Sequence, residues 1–245
     1  MSHVVIIDYG SGNLHSAAKA FEAVATKDCT VQLSSDPATL KDASHIVLPG
    51  VGAFGDCYAG LQALDGLLET LEEEVREKQK PFLGICVGMQ LLAQKGFEHG
   101  EHKGLGWLNA EVKSIRDSIF KDQRIEGEVS KPSEPSAREA LAHLKSSKIS
   151  GGVDKKNLKI PHMGWNDLAL RSDHPLLNGL ETGDHAYFVH SYAMQCQNPE
   201  DVIATVDYGQ PLTAIVARDN ITGVQFHPEK SQETGLKLIA NFLKM

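Results

Sequence analysis

Short apolar segments alternate with amphipathic segments of helical period through the first half of the chain, and this alternation constrains the fold more than any other feature. Buried strands are predicted at His3–Tyr9, Thr30–Leu33, Ser44–Leu48 and Phe82–Ile85. Helices are predicted at Leu14–Val24 (with Asn13 as its N-cap), Leu61–Lys80 and Val87–Gln94. Strands that alternate with helices form a mostly parallel sheet with helices on both faces.

The second half of the chain carries strands in close succession, which is typical of antiparallel pairing. They are predicted at Trp107–Ile115, Tyr187–Tyr192, Val202–Asp207, Leu212–Ala217 and Thr222–Phe226. A last helix is predicted after Ser231 from apolar residues at helical spacing, namely Leu236, Ile239, Ala240 and Leu243. We therefore predict an α/β fold with a mostly parallel central sheet flanked by helices and an antiparallel or mixed extension.

One stretch interrupts this pattern. We expect a single domain over residues 1–245, with an insertion at about 117–159 that is rich in Lys, Glu and Ser. Ser136 and Glu139 form a capping box, which predicts one short helix there. Because the insertion has few large apolar residues for its length, we expect it to be peripheral to the core.

Composition excludes several classes of protein. The net charge of −8 argues against a nucleic-acid partner, which needs a basic face. No apolar run approaches the ~18 residues that span a bilayer, and the N-terminus lacks the features of a secretion signal. The four cysteines fit neither a metal site nor a disulfide framework: Cys29, Cys57, Cys86 and Cys196. We expect a cytoplasmic protein without metal, cofactor or membrane partner.

Cys86 is the strongest candidate for a catalytic residue. The segment Gly84-Ile85-Cys86-Val87-Gly88 joins a predicted strand to a predicted helix, which is the nucleophile-elbow pattern with Cys in place of Ser. A free cysteine is usually a small apolar core residue, but paired glycines at a strand-to-helix turn favour a nucleophile. The elbow also leaves the backbone N–H of Val87 free to stabilise an oxyanion.

A thiolate nucleophile needs a base, and His227-Pro228-Glu229 offers one directly after a predicted strand. Residues two apart in an extended segment point to the same side, roughly 6.6 Å apart along the chain. Glu229 is therefore expected to hold one ring nitrogen of His227 while the other faces the thiol. Four other histidines compete for this role: His162, His174, His185 and His190. None of them has a carboxylate two residues on at the end of a predicted strand, and we interpret His190 as structural.

A glycine-rich segment, Pro49–Asp56, follows the third predicted strand. Glycine at the carboxyl end of a strand lets a small substrate approach the main chain closely. The segment can therefore donate a second N–H to an oxyanion, although a plain turn has the same composition.

These motifs, in this order, resemble those of the class I, or triad, glutamine amidotransferases. The resemblance rests on Gly84–Leu92 and Gly223–Glu229 and extends over nearly the whole chain outside the insertion. Four further segments resemble the glutaminase subunits that serve imidazole glycerol phosphate synthases in histidine biosynthesis: Asp8–Leu14, Pro49–Gly55, Pro161–Asn166 and Tyr187–Tyr192.

The resemblance implies a glutaminase mechanism. It implies that Cys86 attacks the side-chain amide of glutamine, that His227 shuttles the proton and that Glu229 orients His227. It also implies a set of oxyanion and substrate contacts, namely Gly50, Gly52, Val87, Gln90, Ser191 and Tyr192.

The resemblance further implies a heterodimer with a separate (β/α)₈-barrel cyclase subunit. That subunit uses the ammonia to make imidazole glycerol phosphate and aminoimidazole carboxamide ribotide. Trp and Met are enriched at interface cores, so the candidate partner interface is Pro161, Met163, Trp165 and Asn166. A buried strand with Trp165 in the core is the alternative interpretation.

Three other functions remain open from the sequence. A paralogous glutaminase that feeds another acceptor, such as a surface-polysaccharide sugar, needs the same residues. A cysteine hydrolase of another class shares the elbow but not the His-Pro-Glu segment. A binding module with a degenerate site is disfavoured by the intact Cys86, His227 and Glu229.

Overall fold

The computed structural model describes residues 2–10, 12–118 and 158–245. The predicted insertion, including its capping box at Ser136 and Glu139, therefore lies almost wholly outside the described residues. Within the described ranges, no helix combines the length and the apolar character needed to cross a bilayer.

A mixed sheet forms the centre of the fold, and the described residues contribute nine strands to it. Five are parallel: β1 (Ser2–Ile7), β2 (Cys29–Ser34), β3 (His45–Gly50), β4 (Phe82–Cys86) and β13 (Ile221–Val224). Four extend the sheet in antiparallel order: β12 (Pro211–Arg218), β11 (Val202–Asp207), β8 (His162–Leu170) and β9 (His185–His190). The strand order is β2-β1-β3-β4-β13-β12-β11-β8-β9, which confirms the predicted antiparallel extension.

A second sheet, which the sequence did not predict, takes strands that we had assigned to the extension. It contains β5 (Lys95–Gly96), β6 (His102–Lys103), β7 (Ala110–Ser114) and β10 (Tyr192–Cys196), in the order β10-β7-β5-β6. The strand predicted at Tyr187–Tyr192 is confirmed as far as His190, where β9 ends, but it does not continue to Tyr192. The chain leaves β9 at Ser191 and enters the second sheet, where β10 pairs with β7.

The helices correct two further predictions. Their bounds are α1 (Leu14–Val24), α2 (Thr39–Asp42), α3 (Phe54–Gln62), α4 (Leu67–Leu71), α5 (Val87–Gln90) and α6 (Gln232–Phe242). The helix predicted at Leu61–Lys80 is confirmed over residues 67–77 but not as a continuous helix from Leu61, because Gly66 has a φ of 76° and separates α3 from α4. Helix α4 then continues as a π-helix over Glu72–Glu77. The helix predicted to reach Gln94 ends at Gln90.

Helices α1 and α6 pack on the same side of the sheet. The Phe21 and Phe242 rings meet edge to face, with centroids 6.3 Å apart. The face of α6 that packs inward carries Leu238, Ile239 and Phe242, which are buried. Of the predicted stripe, Leu236 and Ala240 are only partly buried.

The parallel strands bring three loops to one edge of the sheet. β3, β4 and β13 are neighbours, and Gly50 pairs with Cys86 in the register. Because their carboxyl ends coincide, the residues that follow each strand lie side by side. Those residues are the Gly-Val-Gly segment, the elbow and the segment leading to His227.

Candidate active site

Cys86 ends β4 in a strained conformation. Its φ is 56° and its ψ is −112°, backbone angles that residues other than glycine rarely adopt. Close packing explains both flanking glycines: a Cβ at Gly84 would lie 2.6 Å from the carbonyl oxygen of Gly88. A Cβ at Gly88 would collide with the carbonyl oxygen of Leu48. The turn therefore requires glycine on both sides and directs the thiol to the carboxyl edge of the sheet.

His227 is held between a carboxylate and the thiol. Its Nδ1 lies 2.8 Å from Oε1 of Glu229, and both side chains are buried. The same ring is hydrogen-bonded to Cys86. Burial lowers the pKa of His227, but the hydrogen bonds to Cys86 and Glu229 outweigh it and raise the pKa to about 9. The ring is therefore protonated near neutral pH.

Asn13 joins this pair from the other end of the chain. It stands before α1, as predicted, but it has a left-handed φ of 69° and its side chain does not cap the helix. The amide Nδ2 instead donates to Oε1 of Glu229. The prediction that Asn13 caps helix α1 is therefore wrong, because its side chain is hydrogen-bonded to the carboxylate of Glu229 instead.

A cavity of about 340 Å³ opens in front of the thiol. Its lining includes the predicted contacts Gly52, Val87, Gln90, Ser191 and Tyr192. Gly50 does not line it; a Cβ there would lie 2.6 Å from the backbone nitrogen of Gly88, so Gly50 packs against the elbow instead. The lining also contains Glu98, which the sequence analysis missed because no motif singles it out.

A chain of amide groups runs behind this cavity. Nε2 of Gln90 donates to the carbonyl oxygen of Tyr192, at 3.1 Å, and to Oε1 of Gln225, at 3.0 Å. Nε2 of Gln225 in turn lies 3.8 Å from the sulfur of Cys86. The sequence analysis missed Gln225, although a polar residue in the apolar run Thr222–Phe226 is a usable signal of a buried polar contact.

The competing histidines have surroundings that differ from those of His227. His162 and His190 form a buried pair, with Nδ1 of His162 2.9 Å from Nε2 of His190. Burial lowers the pKa of His162 to about 3 and that of His190 to about 4, so both rings are neutral. His185 is exposed beside Asp167, and His174 accepts from the backbone N–H of Leu176.

The other cysteines lie in different settings. All four are free thiols, and Cys86 is the one among them that lines the cavity. Burial raises the pKa of Cys57 and raises that of Cys196 to about 12. Over the described ranges, no group of three or more His, Cys, Asp or Glu residues could hold a metal ion.

Three of the candidate interface residues, Met163, Trp165 and Asn166, lie on β8, and Pro161 directly precedes that strand. Pro161 lines the cavity, whereas Met163 and Trp165 project from one face of β8 and are 61% and 47% exposed. Trp165 is therefore not the buried core residue of the alternative interpretation. Asn166 alternates to the other face, where its amide Nδ2 lies 3.2 Å from His162 and donates to Asp207.

Known proteins are similar to this chain over nearly its whole length. The sequence model of the glutamine amidotransferase class-I family matches residues 5–245, and the chain belongs to that family. Among curated relatives, a protein of Cereibacter sphaeroides is 47% identical over 241 residues, which cover 98% of this chain and 97% of that protein. It is named imidazole glycerol phosphate synthase subunit HisH, as is a relative in Agrobacterium fabrum that is 47% identical over 98% of both chains.

Solved structures support the fold alone. A crystal structure of a glutamine amidotransferase matches with a TM-score of 0.63 at 16% identity, covering 98% of this chain and 99% of that one. The structure of PurLQS from Thermotoga maritima matches with a TM-score of 0.63 at 19% identity, covering 99% and 98%. The mixed sheet with flanking helices is therefore the class-I amidotransferase fold.

Proposed function

We propose that this chain is the glutaminase subunit of an imidazole glycerol phosphate synthase and acts in the cytoplasm. The observation that carries the proposal is the contact of His227 with both Cys86 and Glu229, beside a cavity that Cys86 and His227 line, in a chain of this family. The names of the relatives favour histidine biosynthesis over an acceptor such as a surface-polysaccharide sugar.

Cys86 is the nucleophile of the proposed reaction. Its sulfur attacks the side-chain amide carbon of glutamine, and a C–S bond forms. His227 carries the thiol proton and delivers it to the leaving nitrogen, so the C–N bond breaks and ammonia departs. Water, deprotonated by His227, then attacks the thioester, and glutamate leaves as the sulfur is released. Glu229 holds Nδ1 of His227 and stabilises its positive charge.

Other groups around the cavity stabilise the oxyanion and bind the substrate in this proposal. Val87 follows the nucleophile, so its N–H is the first oxyanion donor, and the Gly52 segment across the cavity supplies the second. Glu98 brings a carboxylate into the lining; its Oε2 accepts from the backbone N–H of Phe54, at 2.8 Å, which fixes its direction. We assign Glu98 to the α-ammonium group of the bound glutamine.

The cyclase partner docks on β8 in this proposal. Met163 and Trp165 are exposed large apolar residues on one face of that strand, which suits the core of an interface. Pro161 connects the same strand to the cavity. Ammonia released at Cys86 thus has a short path toward a (β/α)₈-barrel partner, and the two chains form a heterodimer.

Replacing the nucleophile tests this function. We expect Cys86→Ala to abolish glutamate release from glutamine by the complex, because no thioester can form. Synthesis by the same complex from added ammonium is expected to persist, since only the ammonia source is lost. Cys29→Ser is the matched control, because Cys29 is a free thiol on the edge strand β2 and should keep full activity. Glutamine turnover by a folded Cys86→Ala variant would contradict the proposal.

A further inference from the structure

Gln225 is a buried polar residue that the proposed reaction does not use. Its side chain is fully buried, and its backbone N–H donates to the carbonyl oxygen of Ala214, at 2.8 Å. An amide group at such a position costs free energy unless its hydrogen bonds are made. Its two polar atoms face two different residues, Gln90 and Cys86.

The orientation of this amide follows from a backbone atom. The carbonyl oxygen of Tyr192 can only accept, so the group of Gln90 that faces it must be NH₂. The same NH₂ faces Gln225, which must therefore present its oxygen to Gln90. The NH₂ group of Gln225 is left to face the sulfur of Cys86, at 3.8 Å. A flipped amide would put two NH₂ groups against each other.

We propose that Gln225 is a positioning residue that holds the sulfur of Cys86 through an N–H···S hydrogen bond. The sulfur then lies between two donors from the same chain segment, the amide of Gln225 and the ring of His227. The proposal rests on the proposed function, in which Cys86 is the nucleophile. The bond is long in the resting state and should tighten to a thiolate, because a charged acceptor attracts N–H groups more strongly.

This role predicts a loss in kcat rather than in KM. Gln225→Met keeps a side chain of similar length and removes the donor to the sulfur. A hydrogen bond to a charged group changes rates by about 10- to 100-fold, so kcat should fall by that factor. KM should change less than about threefold, because Gln90 keeps its bond to Tyr192. Gln225→Glu keeps the acceptor for Gln90 but sets an oxygen against the sulfur, so its kcat should fall further.

Two measurements on the full-length chain test the proposal. Glutamate release is measured in the complex with the cyclase subunit. Alkylation of Cys86 by iodoacetamide is followed against pH, with the modified peptide read by mass spectrometry. The alkylation profile of both Gln225 variants should move to higher pH, because the thiolate loses a donor. A role limited to packing leaves that profile unchanged.

Asn241→Leu provides the matched control. Asn241 is also a buried amide, and it donates to the carbonyl oxygens of Leu176 and Asn178, away from the cavity. Its loss should lower stability while leaving kcat and the alkylation profile within about twofold of the unsubstituted chain.

The outcomes separate this inference from the proposed function. A folded Gln225→Met variant with unchanged kcat, or with lower kcat but an unchanged alkylation profile, overturns the positioning role. If that variant does not fold, Gln225→Glu decides by the same two criteria. Glutamine turnover by Cys86→Ala in the same assay overturns the proposed function instead, whatever the Gln225 variants do.

Discussion

Relief of the backbone strain at Cys86 offers a quantitative test of the elbow. With φ at 56° and ψ at −112°, the residue adopts the mirror image of an extended conformation, which glycine accepts freely. We expect Cys86→Gly to be more stable than Cys86→Ala. Both variants lose the sulfur and its hydrogen bonds, so the difference between them isolates the Cβ atom on a left-handed backbone.

The magnitude follows from two opposing terms. Strain of this kind costs about 1–3 kcal/mol, and Ala retains it while Gly releases it. The greater flexibility of Gly in the unfolded chain returns about 0.5–1 kcal/mol. The net advantage of Gly is about 1 kcal/mol, or roughly 2–4 °C in Tm for a chain of this size.

Cys57 is the matched control because it is a buried free cysteine in the middle of helix α3. There the order should reverse, with Ala more stable than Gly by about 1 kcal/mol, as in other helix interiors. Urea unfolding of the four full-length variants gives both differences. An Ala variant at position 86 as stable as the Gly variant would refute the claim that the elbow stores strain.

Two further predictions concern pH and the partner. His162 and His190 are kept neutral by burial, so their contribution to stability is present above pH ~6.5 and is lost as pH falls below it, at about 1.4 kcal/mol per pH unit for each ring. Urea unfolding between pH 6 and 5 should show this loss, and His162→Gln should lower the slope by about 1.4 kcal/mol per pH unit; an unchanged slope would exclude the assignment. Trp165→Ser should weaken binding of the cyclase subunit about tenfold or more without lowering stability, because the ring is half exposed in the free chain. Calorimetric titration measures this, and unaltered affinity would place the interface elsewhere.

The fold could be predicted where hydrophobicity and burial agree. β3 and β4 are continuous apolar runs buried on both faces, and their predicted positions are right to within two residues. A strand at β8 was only the alternative interpretation, and its burial is the reverse of the one expected there. Met163 and Trp165 are exposed, whereas His162 beside them is buried and hydrogen-bonded. A pattern search that expects apolar residues inside assigns the wrong face of such a strand to the core.

In the site, contacts between residues close in sequence could be predicted, whereas contacts between distant residues could not. The pairing of His227 with Glu229 joins residues two apart, so the sequence predicts it. The extended backbone assumed for it is wrong, because Pro228–Lys230 forms a 3-10 helix. The contacts of Asn13 with Glu229 and of Gln90 with Gln225 join residues 216 and 135 positions apart. No local pattern encodes such pairs; they exist because neighbouring parallel strands bring distant loops to one edge of the sheet.

Three buried histidines show how hydrogen-bond partners, rather than burial, decide whether the pKa of a buried ring is raised or lowered. His162, His190 and His227 all lose solvent, and burial alone lowers the pKa of each. His190 contacts a second neutral ring and a backbone carbonyl, which cannot compensate a full positive charge. His227 contacts the Glu229 carboxylate and the thiol, and its pKa rises to about 9 instead. The thiol and the carboxylate two residues away together separate His227 from the other two rings, and the sequence shows the carboxylate directly.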